Sequence, residues 1–567
     1  MLPALCLLLA ADPLPADAKL AAKFQTFLAD EFARHPYFAS RQGNHDFDDR
    51  LDDLSPAARK DDAARAKKLL GELAQEFDPK ALARPAQIDL EIWTHALKYQ
   101  LWQAENEPVF ETDPRTYGEY ISDSVFGQLT QSTLPKARNV ANAAKRITYI
   151  PGIVAAAKAS LKNPPKILTE VAIARNRGAI GFYEKEIFEL AGEKGDLAEP
   201  CRRAVVALKE YQTFLETDLL TRSSGDWRIG KAKFTRKLEL ELDSGLSADD
   251  VIREAEAEAD RVEREMYYVA KQMWWKLFAP KPLPPDDAAG RKQAVKFVLD
   301  ELGKDHGPGE TIVQDATKTV DAIRTFIRAK NILALPEPDR CKVIAMPEFQ
   351  RGFSAAYLNP APPLDPKADS LYAVSPPPAD WPAARQEAFL REYNRAMLQI
   401  LTIHEAYPGH YVQLEYGNRH PSLIRKVFYS GTFAEGWAVY TEQMMLDQGY
   451  GDGDLSLRLH QLKFYLRAVL NAILDHRMHC ANMSDEQAME LLVGRGFQTE
   501  GEAVGKIRRA KQSSTQLSTY FVGRTAFYRL RQSVQRSQGE AFRLGAYHEA
   551  VLSHGTLPVK YLPELVK

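Results

Sequence analysis

The chain carries no charge of one sign in excess. Seventy-four Lys and Arg stand against 76 Asp and Glu, a formal net charge of -2. No global field therefore draws it to DNA, RNA or acidic lipid. Cysteines are few: Cys6, Cys201, Cys341 and Cys480 are far apart and form no Cys-x-x-Cys pair. That excludes a disulfide framework and a thiolate zinc site. Cys480 follows His479 and reads as a buried free thiol. There is no internal repeat and no low-complexity tract. No apolar run is long enough to span a bilayer. The N-terminal run, ending at Ala11, lacks a basic leader, yet resembles the apolar core of a secretory signal, with Leu9 and Ala11 before the cleavage point. Residues 1–17 are set aside as a targeting segment. The expected location is periplasmic or secreted, with cytoplasmic as the alternative. Cys6 lacks the small residue that normally precedes a lipid-modified cysteine, so no lipid anchor is expected.

What is present is the composition of a soluble globular protein, with 45% hydrophobic and 26% charged residues. We read 18–567 as one unit, with a helical part over 18–330 and a catalytic part over 331–567. Leu20 to Phe32, Asp62 to Phe77 and Ala86 to Gln103 place apolar residues at three- and four-residue intervals, which predicts helices. Pro164-Pro165 opens another, running toward Leu190. Ser247, with Asp249 and Asp250 behind it, marks a further helix start. Between about 334 and 382 prolines crowd in. Two short apolar runs there, Cys341 to Met346 and Ser370 to Val374, predict short strands. Helical periodicity returns at Ala383, with one helix expected over Arg385 to Ile403. The fold class is mainly α with a few short strands. Eight of twelve histidines fall in the last third, which is where chemistry is expected.

The informative stretch is His404-Glu405-Ala406-Tyr407-Pro408-Gly409-His410. In a zinc-protease helix two histidines four residues apart share a face. Six residues on an ideal helix leave the side chains about 120° apart. Pro408 clashes with the carbonyl of His404, and Gly409 allows backbone shapes closed to other residues. The helix break falls where a turn would swing His410 back. A third ligand is then needed, with a position left for water. Glu435, in Gly431-Thr432-Phe433-Ala434-Glu435-Gly436-Trp437, is a carboxylate in an apolar helix, which is costly unless paired or metal-bound. Glu442 follows two turns later and is placed to orient a ligand histidine.

These residues, with Phe433 to Tyr440 and the tail Tyr547-His548-Glu549-Ala550-Val551-Leu552-Ser553-His554-Gly555-Thr556-Leu557-Pro558, make the chain resemble the bacterial family termed domain of unknown function 885. That family looks like a distant relative of the helical zinc peptidases that include angiotensin-converting enzyme and thimet oligopeptidase. The resemblance implies a largely helical body with a deep cleft. It also implies zinc held by His404, His410 and Glu435. Those relatives carry an acid four residues after the ligand glutamate, where this chain has Val439, so Glu442 is expected to substitute.

Zinc would bring the pKa of a bound water toward about 7. Glu405 is the candidate base. His479, with Asp475 one turn before it, and Tyr520 are candidates for stabilising the developing charge. Arg524 is a candidate for a peptide carboxylate. Tyr357 and Tyr372, on the strand-like segments, are candidates for pairing with an extended peptide. The reading is a zinc metallopeptidase for oligopeptides, with no nucleic-acid partner. A zinc hydrolase of non-peptide amides or esters, and an inactive binding protein on the same scaffold, remain open.

Overall fold

The computed structural model describes residues 15–192, 194–346 and 355–567. The apolar leader and Cys6 lie outside the described residues. The fold is mainly α, with three short strands among the described residues. No described helix is long and apolar enough to cross a membrane.

Local signals account for most elements. The first helix is Pro15–Arg34, burying Leu20, Phe24, Leu28 and Phe32 at four-residue steps. Pro56–Glu76 starts earlier than its apolar pattern because the Ser55 side chain accepts from the Ala58 N–H. Arg84–Asn106 pairs with it. Ala248–Phe278 opens on a full capping box between Ser247 and Asp250. The expected helix over Arg385 to Ile403 is broken in two, Ala383–Glu392 and Arg395–Glu405. Asn394 is the cause: its side chain accepts from the N–H groups of Ala396 and Met397, at 3.1 Å each, and restarts the helix.

The strands are β1 (Cys341–Ala345), β2 (Ala356–Asn359) and β3 (Ser370–Val374), in spatial order β1-β3-β2. β1 runs parallel to β3, and β2 antiparallel to it. β2 carries no β-branched residue, and only Tyr357 marked it in the sequence as strand-like. The register puts Val343, Tyr372 and Leu358 on one face. That face meets the Arg395–Glu405 helix, where the Tyr372 and Thr402 hydroxyls lie 3.0 Å apart.

Among the described residues, three apolar cores hold the fold together. One joins the N-terminal helices, through Phe24, Trp93 and Leu97, to Ile400, Trp437 and Tyr440. A second joins the Ala248–Phe278 helix to Leu455–Cys480, through Ala255, Val262 and Leu466. The third, including Ile147, Tyr183 and Leu208, is confined to the N-terminal half. The first two bring sequence-distant helices around the His404 segment.

Candidate metal centre

The Arg395–Glu405 helix ends where Pro408 removes the N–H that would continue it. The chain folds back instead. The Gly409 N–H reaches the Ile403 carbonyl at 3.0 Å, and a new helix, His410–Asn418, begins at once. A Cβ at Gly409 would overlap the carbonyl oxygens of His404 and Ile403, so this turn needs glycine. The buried Trp437 indole N–H donates to the Pro408 carbonyl at 2.8 Å and holds the turn down. The two-residue stretch in the motif is thus a compact reversal that returns His410 to His404. Their rings meet edge-on, with centroids 4.8 Å apart.

Glu435 comes from the Gly431–Asp447 helix, capped by Ser430. Its Oε2 lies 3.7 Å from His404 Nε2 and 3.4 Å from His410 Nε2. Donor atoms of His404, His410 and Glu435 all fall within 4.8 Å of one another. Ligands about 2.1 Å from a tetrahedral zinc stand about 3.4 Å apart, so two edges of the triangle already have about that length. Glu435 Oε2 is buried and makes no hydrogen bond. A buried oxygen left unsatisfied between two imidazoles fits a cation better than it fits packing.

The second ring of contacts fixes the first. Glu442, two turns beyond Glu435 and fully buried, accepts from His404 Nδ1 at 2.7 Å. That leaves Nε2 facing Glu435, the arrangement of a ligand histidine backed by a carboxylate. Phe464, on the Leu455–Cys480 helix, closes the other side of the His404 ring. Glu405, half-buried, accepts from the Leu358 N–H of β2 at 2.9 Å. Leu358 was not singled out from sequence, since a backbone donor leaves no trace there.

The carboxylates are driven apart in acidity. Burial raises Glu405 and takes Glu442 to about 7. Burial opposes ionisation of Glu435 too, but the two histidines outweigh it and hold that carboxyl far below the usual range. His404 is burdened by burial, yet Glu435 and Glu442 carry it to about 10. The site therefore has one firmly ionised carboxylate, Glu435, and one of raised basicity, Glu405.

Tyr520 lies on the Thr519–Gln538 helix, packed against the Glu435 helix. Gly436 and Gly523 meet backbone to backbone at this crossing, and a Cβ on either would enter the other helix. Glu435 acts electrostatically on Tyr520, whose phenol is raised, mainly by burial, to about 12. It is a proton donor across the neutral range.

Several expected residues lie elsewhere. His479 is buried with its Nε2 3.0 Å from the carbonyls of Ala510 and Ser513, between the rings of Trp227 and Phe234. Asp475 accepts from the Thr515 N–H at 3.2 Å and stands 3.8 Å from His479. The pair closes a helix junction and takes no part in the His404–His410–Glu435 cluster. Arg524 is sandwiched between the Tyr465 and Tyr528 rings and bound to Gln443 and Glu258, which leaves it no hand for a substrate. Tyr372 is fully buried against Thr402 and cannot meet a peptide. Tyr357 projects from the opposite face of the sheet, into a cavity of about 770 Å³ shared with Asn359 and helices of the N-terminal half.

Among curated proteins, none is significantly similar to this chain. A solved structure from Shewanella oneidensis, described as "a putative lipoprotein of unknown function", shares 30% identity at a TM-score of 0.81, over 97% of this chain and 99% of that one. A second, "the putative lipoprotein from Colwellia psychrerythraea", shares 18% identity at a TM-score of 0.75, over 98% of this chain and 99% of that one, and speaks to the fold alone. Residues 36–566 match the family described as bacterial protein of unknown function, DUF885, and the chain belongs to that family.

Proposed function

We propose that this protein is an exported zinc-dependent peptidase. The observation that carries the reading is the unsatisfied buried Oε2 of Glu435, set between two histidine nitrogens, with a base-like carboxylate, Glu405, directly after His404 in the chain. His404, His410 and Glu435 would hold the ion. A zinc ion there would polarise a substrate carbonyl and make water a competent nucleophile near neutral pH.

The chain's own groups supply the rest. Glu405 accepts the proton of the attacking water as the new C–O bond forms. It returns that proton to the amine as the C–N bond breaks. The Leu358 N–H holds the carboxylate in place for both transfers. The Tyr520 phenol, protonated at neutral pH, donates toward the oxygen that gains charge. Glu442 keeps His404 Nε2 turned inward. It takes the part for which the helical zinc peptidases use an acid four residues after the ligand glutamate, the place of Val439 here. β2 is an edge strand whose outer side faces Glu405, which suits an extended peptide over a compact ester. Export is supported by the apolar leader and by the lipoprotein description of the similar Shewanella oneidensis structure.

Metal analysis of the purified protein and digestion of a random peptide library test this. One zinc per chain, with cleavage abolished in Glu405→Gln, is expected. Absence of stoichiometric zinc, or equal cleavage by Glu405→Gln, would overturn the reading. Cell fractionation checks the location.

A further inference from the structure

The Ala248–Phe278 helix carries two seams of the same spacing on opposite sides. Val262, Met266, Val269 and Met273 step by four, three and four residues and are buried in the second core. Arg264, Tyr268, Lys271 and Trp275 repeat that step two residues later and are exposed. At about 100° per residue, these four lie within about 60° of one another, opposite the buried seam. Tyr268 and Trp275 are each 60% exposed. The core does not need them, since it already holds the adjacent Tyr267 and Trp274. Two large rings left on one outward stripe mark a contact surface.

Charge along this helix changes with position. In its first half the acids are matched. Arg495 reaches Glu256, Asp260 and Glu263, and Arg261 reaches Glu258 and Glu265. In its second half the cations are not. Arg264, Lys271 and Lys276 make no hydrogen bond and no ion pair among the described residues. Lys271 and Arg291 stand over the Tyr267 ring, at 5.9 and 5.6 Å, next to Tyr268. The two acids at this end are spent: Asp286 is bound by Arg291, and Asp287 caps the Ala288–Leu302 helix. The chain as a whole is near neutral, so this is a local patch of cations and not a global field.

Aromatic rings with polar tips, interleaved with unpaired cations, suit the headgroup layer of a membrane. There the indole and phenol bury their apolar bodies, and the cations meet lipid phosphates. A second copy of the chain suits the stripe poorly, because a two-fold contact would set its unpaired cations against each other. The rings project instead of lining a groove, which disfavours a threaded nucleic-acid strand.

We propose that the Arg264–Tyr268–Lys271–Trp275 stripe docks the protein on the surface of an anionic lipid bilayer. The contact is peripheral, since no described helix is long and apolar enough to cross a membrane. The stripe shares no residue with the His404–His410–Glu435 cluster, and the proposal does not depend on the peptidase reading.

The test mixes the full chain with vesicles of phosphatidylcholine alone, or of phosphatidylcholine with phosphatidylglycerol. The bound fraction is read by co-sedimentation at low and high salt. All variants keep the N-terminal apolar run, so its own affinity for lipid cancels between them. Wild type is expected to bind the anionic vesicles at least about 10-fold more tightly than the neutral ones, and to lose that preference at high salt. Tyr268→Ala with Trp275→Ala should weaken binding to anionic vesicles about 10-fold or more. Arg264→Gln with Lys271→Gln should cost about 20-fold on anionic vesicles and nothing on neutral ones. Tyr429→Ala, at an equally exposed aromatic elsewhere, should change nothing. All variants should melt with wild type, because the substituted side chains are exposed. Equal wild-type binding to both vesicles, or unchanged binding in the Tyr268→Ala, Trp275→Ala protein, overturns the proposal. A wild type that ignores vesicles and forms a dimer, while that double variant is monomeric, overturns it in favour of a second copy.

Discussion

Two regions of this molecule hold the same ingredients and reach opposite ends. Around His404 and around His479, a buried histidine stands beside a buried carboxylate on packed helices. His479 has its nitrogen facing two backbone carbonyls at 3.0 Å, and Asp475 is met by the Thr515 N–H. At His404 the Glu442 carboxylate takes one nitrogen, and the other faces a glutamate oxygen that nothing satisfies. Residue type does not separate a site from a brace. Unspent valence, gathered at one point by several elements, does.

The contrast can be broken most sharply at the ligands. Glu435→Ala should lose stoichiometric zinc on dialysis, while His479→Leu should keep it, with metal content read by mass spectrometry. A His479→Leu protein that lost its zinc while remaining folded would erase the distinction. The next largest effect is expected at Gly409. Gly409→Ala drives a methyl into the His404 carbonyl, and should cost more than about 3 kcal/mol and release the metal. Gly431→Ala meets nothing and serves as the control for thermal melting. Glu442→Gln removes the charge behind His404 and should weaken zinc about 10- to 100-fold with little change in fold, measured by competition with a chelator. His479→Leu itself should lower stability by about 1–3 kcal/mol through the carbonyls it abandons.

The smallest effect is one of pH. Burial raises the Asp475 carboxyl to about 7, against the opposing pull of the Thr515 N–H. The folded state thus binds that proton more tightly than the unfolded chain does. The associated stability is full below the ordinary carboxylate range and is lost as pH rises through about 7. Asp475→Asn, which cannot ionise, should therefore gain more melting temperature relative to wild type at pH 8 than at pH 5.

The His404–His410–Glu435 cluster was legible because each member left a local mark. Pro408-Gly409 announced a reversal, and Glu435 was a charge in an apolar run. The helices around it were legible from periodicity and caps such as Ser247. What escaped notice was set by tertiary contact. Asn394 split a helix by a cap that competes with a good apolar pattern. Leu358 acts through its backbone N–H, which every residue but proline possesses. His479 and Arg524 had the right chemistry at the right spacing, and only the chain packed against them shows that their bonds are spent.

The glycine crossing between the Glu435 helix and the Tyr520 helix has a consequence for how tolerant this architecture is. Because Gly436 and Gly523 touch through main chain, the distance from Glu435 to Tyr520 is gauged by two backbones and not by any side chain. Rotamer changes or repacking in the surrounding core leave that gauge unaltered. The apolar residues nearby are free to drift in identity while the site keeps its dimensions, and a single added methyl at either glycine is the change that would reset it.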